Sequence, residues 1–131
     1  MPDVQVSLFI KAETPEGTNL WATEKVVDLV TGFGEVTDTE RVSLYFRKLV
    51  EFCNANFRQY MPDIIKREYG KVYCIHLDHF RIVGFFDQSY RDFIAVDYFQ
   101  KKKQKNDRRM NAIYKRAEQT RENASWTKSE E

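Results

Sequence analysis

The chain has 131 residues, room for one domain and no more. Hydrophobic residues make up 42% and aromatic residues 15%, enough to bury a core, so a folded rather than a disordered chain is expected. The net charge of +1 conceals an asymmetry: residues 1–70 carry 8 Lys/Arg against 11 Asp/Glu, and residues 71–131 carry 13 against 9. An anionic partner is therefore expected on the second half.

No apolar run approaches the ~20 residues of a membrane span, and MPDVQVSLFIKAETPEG has no basic stretch ahead of an apolar one. Neither a membrane protein nor a secretory leader is expected. Cys53 and Cys74 form no CxxC unit, which favours free thiols and a cytoplasmic location, with one disulfide as the alternative.

The β-rich stretch 4–10 (VQVSLFI), followed by Thr14-Pro15-Glu16-Gly17, predicts a first strand. A helix is expected from Thr18 or Asn19. It places Leu20, Thr23, Val26, Val27 and Val30 on one side and ends at Gly32-Phe33-Gly34, where glycine accepts the left-handed cap. Thr37 and Asp38 offer oxygens to cap a second helix, with Glu40 at capping-box spacing from Thr37. Val42, Phe46, Leu49, Val50, Cys53 and Phe57 form its apolar face, and Met61-Pro62 ends it.

After Gly70 the period changes to alternation, and Lys71–Leu77, Phe80–Phe86 and Asp92–Phe99 read as three strands. The tight turn Asp78-His79 and the loop 87–91 join them as an antiparallel meander. A basic run leads into a helix from Asp107 to Glu122 with Met110, Ile113, Tyr114 and Ala117 as its stripe. Residues 1–122 then make a single domain and 123–131 a polar, frayed tail in which Trp126 stands out. The expected order is β-α-α-β-β-β-α, an α+β fold with two helices on one face of a twisted antiparallel sheet and the last helix at its edge. Trp21, Phe46, Phe52, Phe57 and Phe85 are expected in the core.

Three segments carry a likeness: Val72–Leu77 (VYCIHL), Phe80–Phe86 (FRIVGFF) and Phe93–Lys105 (FIAVDYFQKKKQK). Together they resemble the phage-derived, HigB-like branch of the RelE/ParE toxin superfamily, which has an arginine on the central strand and a last strand ending in phenylalanine before a KK-x-QK motif. The likeness covers about residues 38–120. It implies a RelE-like fold shared with microbial ribonucleases, and a type II toxin that cuts mRNA as an mRNA interferase, on the ribosome. A small antitoxin, of helix-turn-helix type in one form, would hold it inactive. ParE-side members act instead on gyrase, so a non-catalytic binding module is the alternative, as is a remnant that binds only an antitoxin. Where relatives carry lysines before the arginine strand, this chain has Cys74 and His76.

Such cleavage needs a group to activate the ribose 2′-hydroxyl, cations for the phosphorane and an acid for the leaving oxygen; no cofactor or metal is expected. Arg81 suits a phosphate clamp, because guanidinium grips two oxygens at once; pairing with Asp97 or Asp78 is the structural alternative. Lys101, Lys102, Lys103, Lys105, Arg108 and Arg109 suit backbone phosphates, or make a solvated face. His76 and His79 are the only histidines and titrate near neutrality when unperturbed. His76 is the expected proton carrier and His79 a turn residue. The spacing of Cys74, His76, Asp78 and His79 does not converge four metal ligands. Tyr114 is a third catalytic candidate through the family likeness, although its place in the apolar stripe fits core packing better.

Overall fold

The computed structural model describes residues 3–61, 63–87, 89–101 and 108–129. Its elements are β1 (Val4–Ile10), β2 (Asn19–Ala22), α1 (Glu24–Thr31), α2 (Thr39–Asn54), a 3₁₀ turn (Phe57–Tyr60), β3 (Ile65–Tyr69), β4 (Val72–Leu77), β5 (Phe80–Phe86), β6 (Asp92–Gln100), α3 (Arg108–Glu122) and β7 (Trp126–Ser129). The fold is α+β, with seven strands in the order β3-β4-β5-β6-β2-β1-β7. The sheet is mixed rather than antiparallel throughout, because β2 runs parallel to β6 and β7 parallel to β1.

Three short strands depart from the expected order. Asn19–Ala22 is strand, not the start of a helix. Its backbone pairs with Asp92–Ala95, and the Asn19 amide is satisfied by Ala12 N–H and by Asp92. The helix begins only after Thr23, whose extended backbone and side-chain oxygen, accepting from Val26 N–H at 3.3 Å, form the cap. Its far end is Gly32 at φ 89, the left-handed cap expected of glycine. Ile65–Tyr69 adds an edge strand beside β4. The expected frayed tail contains β7, held because Trp126–Ser129 pairs with Val4–Ser7.

Asp38 caps α2, accepting from Glu40 N–H at 2.9 Å and Arg41 N–H at 3.3 Å, so Thr37 and Glu40 form no capping box. The buried face of α2 is Tyr45, Leu49, Phe52 and Cys53, displaced by one residue from the stripe read in the sequence. Phe46 therefore lies 43% exposed, edge-on to Phe9 at 5.8 Å, rather than in the core.

The sheet separates two layers of core. Helices α1 and α2 cover one face, with Leu20, Leu49, Phe52, Ile75, Ile82 and Phe93 between them. On the other face α3 lays Met110, Ile113, Tyr114 and Ala117 on Val72, Cys74, Val83 and Phe99. The sheet also coils strongly towards α3. Strand β7 lies four places from β5, yet the rings of Trp126 and Phe85 meet at 5.7 Å over Val6 and Ile94. Lys128 closes this coil with bonds to Asp87 at 3.0 Å and Asp92 at 2.7 Å. Cys53 and Cys74 are buried free thiols.

Candidate active site

The hairpin β4–β5 decides which side chains meet. Leu77 pairs with Phe80 across a two-residue turn in which Asp78 takes φ 58, a left-handed geometry that aspartate tolerates. The next pair in register is His76 and Arg81. Directly opposed residues share a face with Cβ atoms about 5 Å apart, so the imidazole and the guanidinium are neighbours. Arg81 is paired on its other side with Phe99. Lys101 follows two residues later and is anchored by its N–H to His79 C=O at 2.6 Å. His76, Arg81 and Lys101 thus lie on the α3 side of the sheet, at the end where the β4–β5 turn and the last residues of β6 come together.

Arg81 does not spend its charge on either aspartate proposed from the sequence. Its Nη1 donates to the carbonyls of Asp78 at 2.7 Å and Phe80 at 3.0 Å. The Asp78 carboxylate goes instead to Arg41 at 2.9 Å, a bond that holds its pKa below the ordinary value. Asp97 is taken by Lys25 at 2.6 Å and Arg116 at 3.9 Å. Among the described residues, then, the half-buried guanidinium makes no ion pair; the carboxylate on this face, Glu68, pairs with Lys66 at 3.7 Å.

His76 shows the effect of this concentration of cations. Burial is the largest cause lowering its pKa, followed by Arg81, Lys101 and Lys66, and together they bring it to about 4. A hydrogen bond with the Asp63 backbone opposes them. The ring is therefore neutral at pH 7 and presents a lone pair beside two or three positive charges. Lys66 was not legible as a site residue, because it reaches this face only through β3, where it pairs with Cys74.

Tyr114 is brought to the same face but not to its surface. It is 2% exposed, packs edge-on against Phe99 at 5.8 Å, and hydrogen-bonds Cys74. Burial drives the phenol pKa far above its usual value, and burial likewise pushes the Cys74 thiol to about 12. The phenol proposed by analogy for catalysis is thus packed in the α3 core and does not open onto the face that carries His76 and Arg81. His79 is on the turn, its side chain 66% exposed and its Nε2 3.6 Å from Asp78.

Arg108 and Arg109 open α3 as exposed residues, and Met110 beside Phe99 keeps that first turn close to the end of β6. Lys102, Lys103 and Lys105 lie outside the described residues. No three or more His, Cys, Asp or Glu among the described residues are arranged to hold a metal ion. No helix among them is long and apolar enough to cross a membrane. Compared with known proteins, the sequence matches no family model and no curated protein.

Proposed function

We propose that this chain is a metal-independent endoribonuclease that binds RNA on the face shared by His76, Arg81 and Lys101, acting as the toxin of a type II toxin–antitoxin pair. One observation carries the chemistry: an imidazole held neutral directly opposite an arginine that makes no ion pair among the described residues, with Lys101 alongside. In this reading Arg81 and Lys101 hold the scissile phosphate, and Arg108 and Arg109 extend the contact along the backbone. His76 takes the proton from the 2′-hydroxyl as its oxygen attacks phosphorus, and the leaving 5′-oxygen receives a proton from His79 or from water.

The low pKa of His76 fits a resting state awaiting an anion. A bound phosphate compensates Arg81 and Lys101, which removes part of what holds the imidazole neutral. The pKa then rises towards the operating pH, where a general base works best. The toxin assignment, with mRNA on the ribosome as substrate, an antitoxin as partner and a RelE-like fold, rests on the sequence likeness described above, and the cytoplasmic location on the composition and cysteine usage. A second reading is a face that holds nucleic acid, or a target such as gyrase, without cutting. The burial of Tyr114 favours it, since it removes one candidate proton donor.

The test is induction in growing cells with primer-extension mapping of transcripts, for wild type and Arg81→Ala. Growth arrest with new mRNA ends, both lost in a variant whose thermal melt is unchanged, is the expected result. Arrest with intact mRNA would select the second reading, and full toxicity of a folded Arg81→Ala protein would remove the phosphate clamp.

A further inference from the structure

Strands β4 and β5 end, roughly 15 Å from the His76–Arg81 pair at 3.3 Å per residue, in a cavity that the proposed cleavage does not use. Its volume is about 420 Å³, within the range of about 300–1,000 Å³ typical of small-molecule sites. Three segments distant in sequence meet there: the β3–β4 turn, the β5–β6 loop and the α3–β7 junction. The walls are aromatic, formed by Tyr73, Phe86, Tyr90 and Trp126, and Arg67 and Lys71 stand at the rim.

Tyr90, in the β5–β6 loop, is held in an unusual conformation. It holds φ 58, a conformation that costs a bulky residue about 1 kcal/mol or more. Its ring is 45% exposed, stacked on Phe57 at 5.5 Å and inclined to Phe86 at 5.2 Å. The Arg58 guanidinium also lies over this ring, 5.3 Å from its centroid, so Tyr90 lines the cavity as the exposed member of a preordered stack. The cations at the rim are not neutralised in place. Lys71 donates its backbone N–H to Glu118 at 2.7 Å, but its side chain is exposed and makes no bond among the described residues. Arg67 uses Nε on the Gly70 carbonyl, leaving both terminal amino groups without a carboxylate among those residues. The other charged groups of the lining are committed, Arg121 to Glu118 and Glu122, and Asp87 to Lys128.

Flat π-surfaces beside unneutralised cations select a flat ligand with an anionic group: aromatic faces stack any base, and guanidinium and ammonium take phosphate. We infer that this cavity is a nucleotide-binding site, its aromatic walls stacking a nucleobase while Arg67 and Lys71 hold the attached phosphate. The site is separate from the cleavage face and stands whether or not the chain cuts RNA. The bound nucleotide can be a free mononucleotide or one unit of an RNA strand.

The two sources are separated by titrating the isotope-labelled full chain with AMP, UMP, single-stranded hexauridylate, inorganic phosphate and a polyglutamate peptide, followed by NMR. Saturable shifts of the Trp126 indole N–H and of the Tyr90 and Lys71 amides with a mononucleotide, weakened roughly tenfold by Lys71→Glu or Arg67→Glu with thermal melts unchanged, are expected. Tighter binding of UMP than of hexauridylate would mark a free-nucleotide site, and the reverse a subsite for a strand. Arg81→Ala leaves these shifts in place, so loss of the cleavage reading is distinguishable. The proposal is overturned if mononucleotides give no saturable shift at this end, if Lys71→Glu binds as well as wild type, or if polyglutamate binds more tightly than either nucleotide.

Discussion

The titration of His76 offers the most direct physical check on the candidate active site. Its folded pKa of about 4 lies below the unperturbed 6.5, so between these values the unfolded chain binds a proton that the folded chain refuses. Stability from this residue is complete above pH 6.5, falls as the pH drops towards 4, and changes no further below it. A pKa difference of this size, at about 1.36 kcal/mol for each tenfold change, sets a ceiling of about 3.4 kcal/mol. The ring is only half-buried and its cationic neighbours are partly screened by solvent, so the expected contribution is about 1–2 kcal/mol. His76→Gln cannot titrate and should lose that much less stability than wild type when urea unfolding is compared at pH 7 and pH 4.5. Arg81→Met should move the His76 NMR titration upward, and a bound RNA analogue should do the same. RNA affinity should then rise as the pH is lowered through the interval between the free and bound pKa values. A titration midpoint near 6.5 in the free protein, or equal acid sensitivity in His76→Gln, would refute the reasoning.

Two further outcomes test how the sheet is built. A Cβ placed on Gly84 would lie 2.2 Å from the Ile94 carbonyl oxygen, at the irregularity between β5 and β6, where neither backbone can retreat; Gly84→Ala should cost about 2–3 kcal/mol in urea unfolding. Lys128→Met removes two charge-assisted bonds from partly buried carboxylates and should cost about 1–3 kcal/mol, with the β7 amides losing most of their hydrogen-exchange protection. Burial alone would raise the Asp92 pKa, but bonds from Lys128 and Asn19 outweigh it and hold it low. That contribution is present above the unfolded aspartate value and disappears as the pH falls through the folded one, so the variant should also be the less acid-sensitive of the two.

What the sequence discloses follows from how local each signal is. Phe80–Phe86 is read to the residue, and β4, β6 and α3 to within one, because alternation and helical period are interrupted by short, recognisable turns. The pairing of His76 with Arg81 is legible for the same reason: once the turn is Asp78-His79, the register leaves no choice. Strands β2, β3 and β7 have four or five residues each, too few to show a period. Two of them pair with partners far along the chain, β2 with β6 besides its nearby neighbour β1, and β7 with β1. Missing β3 also concealed Lys66, and missing β7 concealed Trp126 as a wall of the second cavity. The stripe containing Tyr114 pointed correctly to packing, and only analogy had suggested chemistry.

The parallel neighbour of β1 sets the order in which the chain can be completed. Val4 pairs with Trp126, and Asn19 with Asp92, so both pairings close long loops. The β4–β6 meander can assemble from nearby segments. Until those pairings form, the β1–β2 hairpin has neither flank paired. Such non-local closure belongs to topologies that fold in milliseconds to seconds rather than microseconds, and the interval leaves β1 open to pairing with other chains.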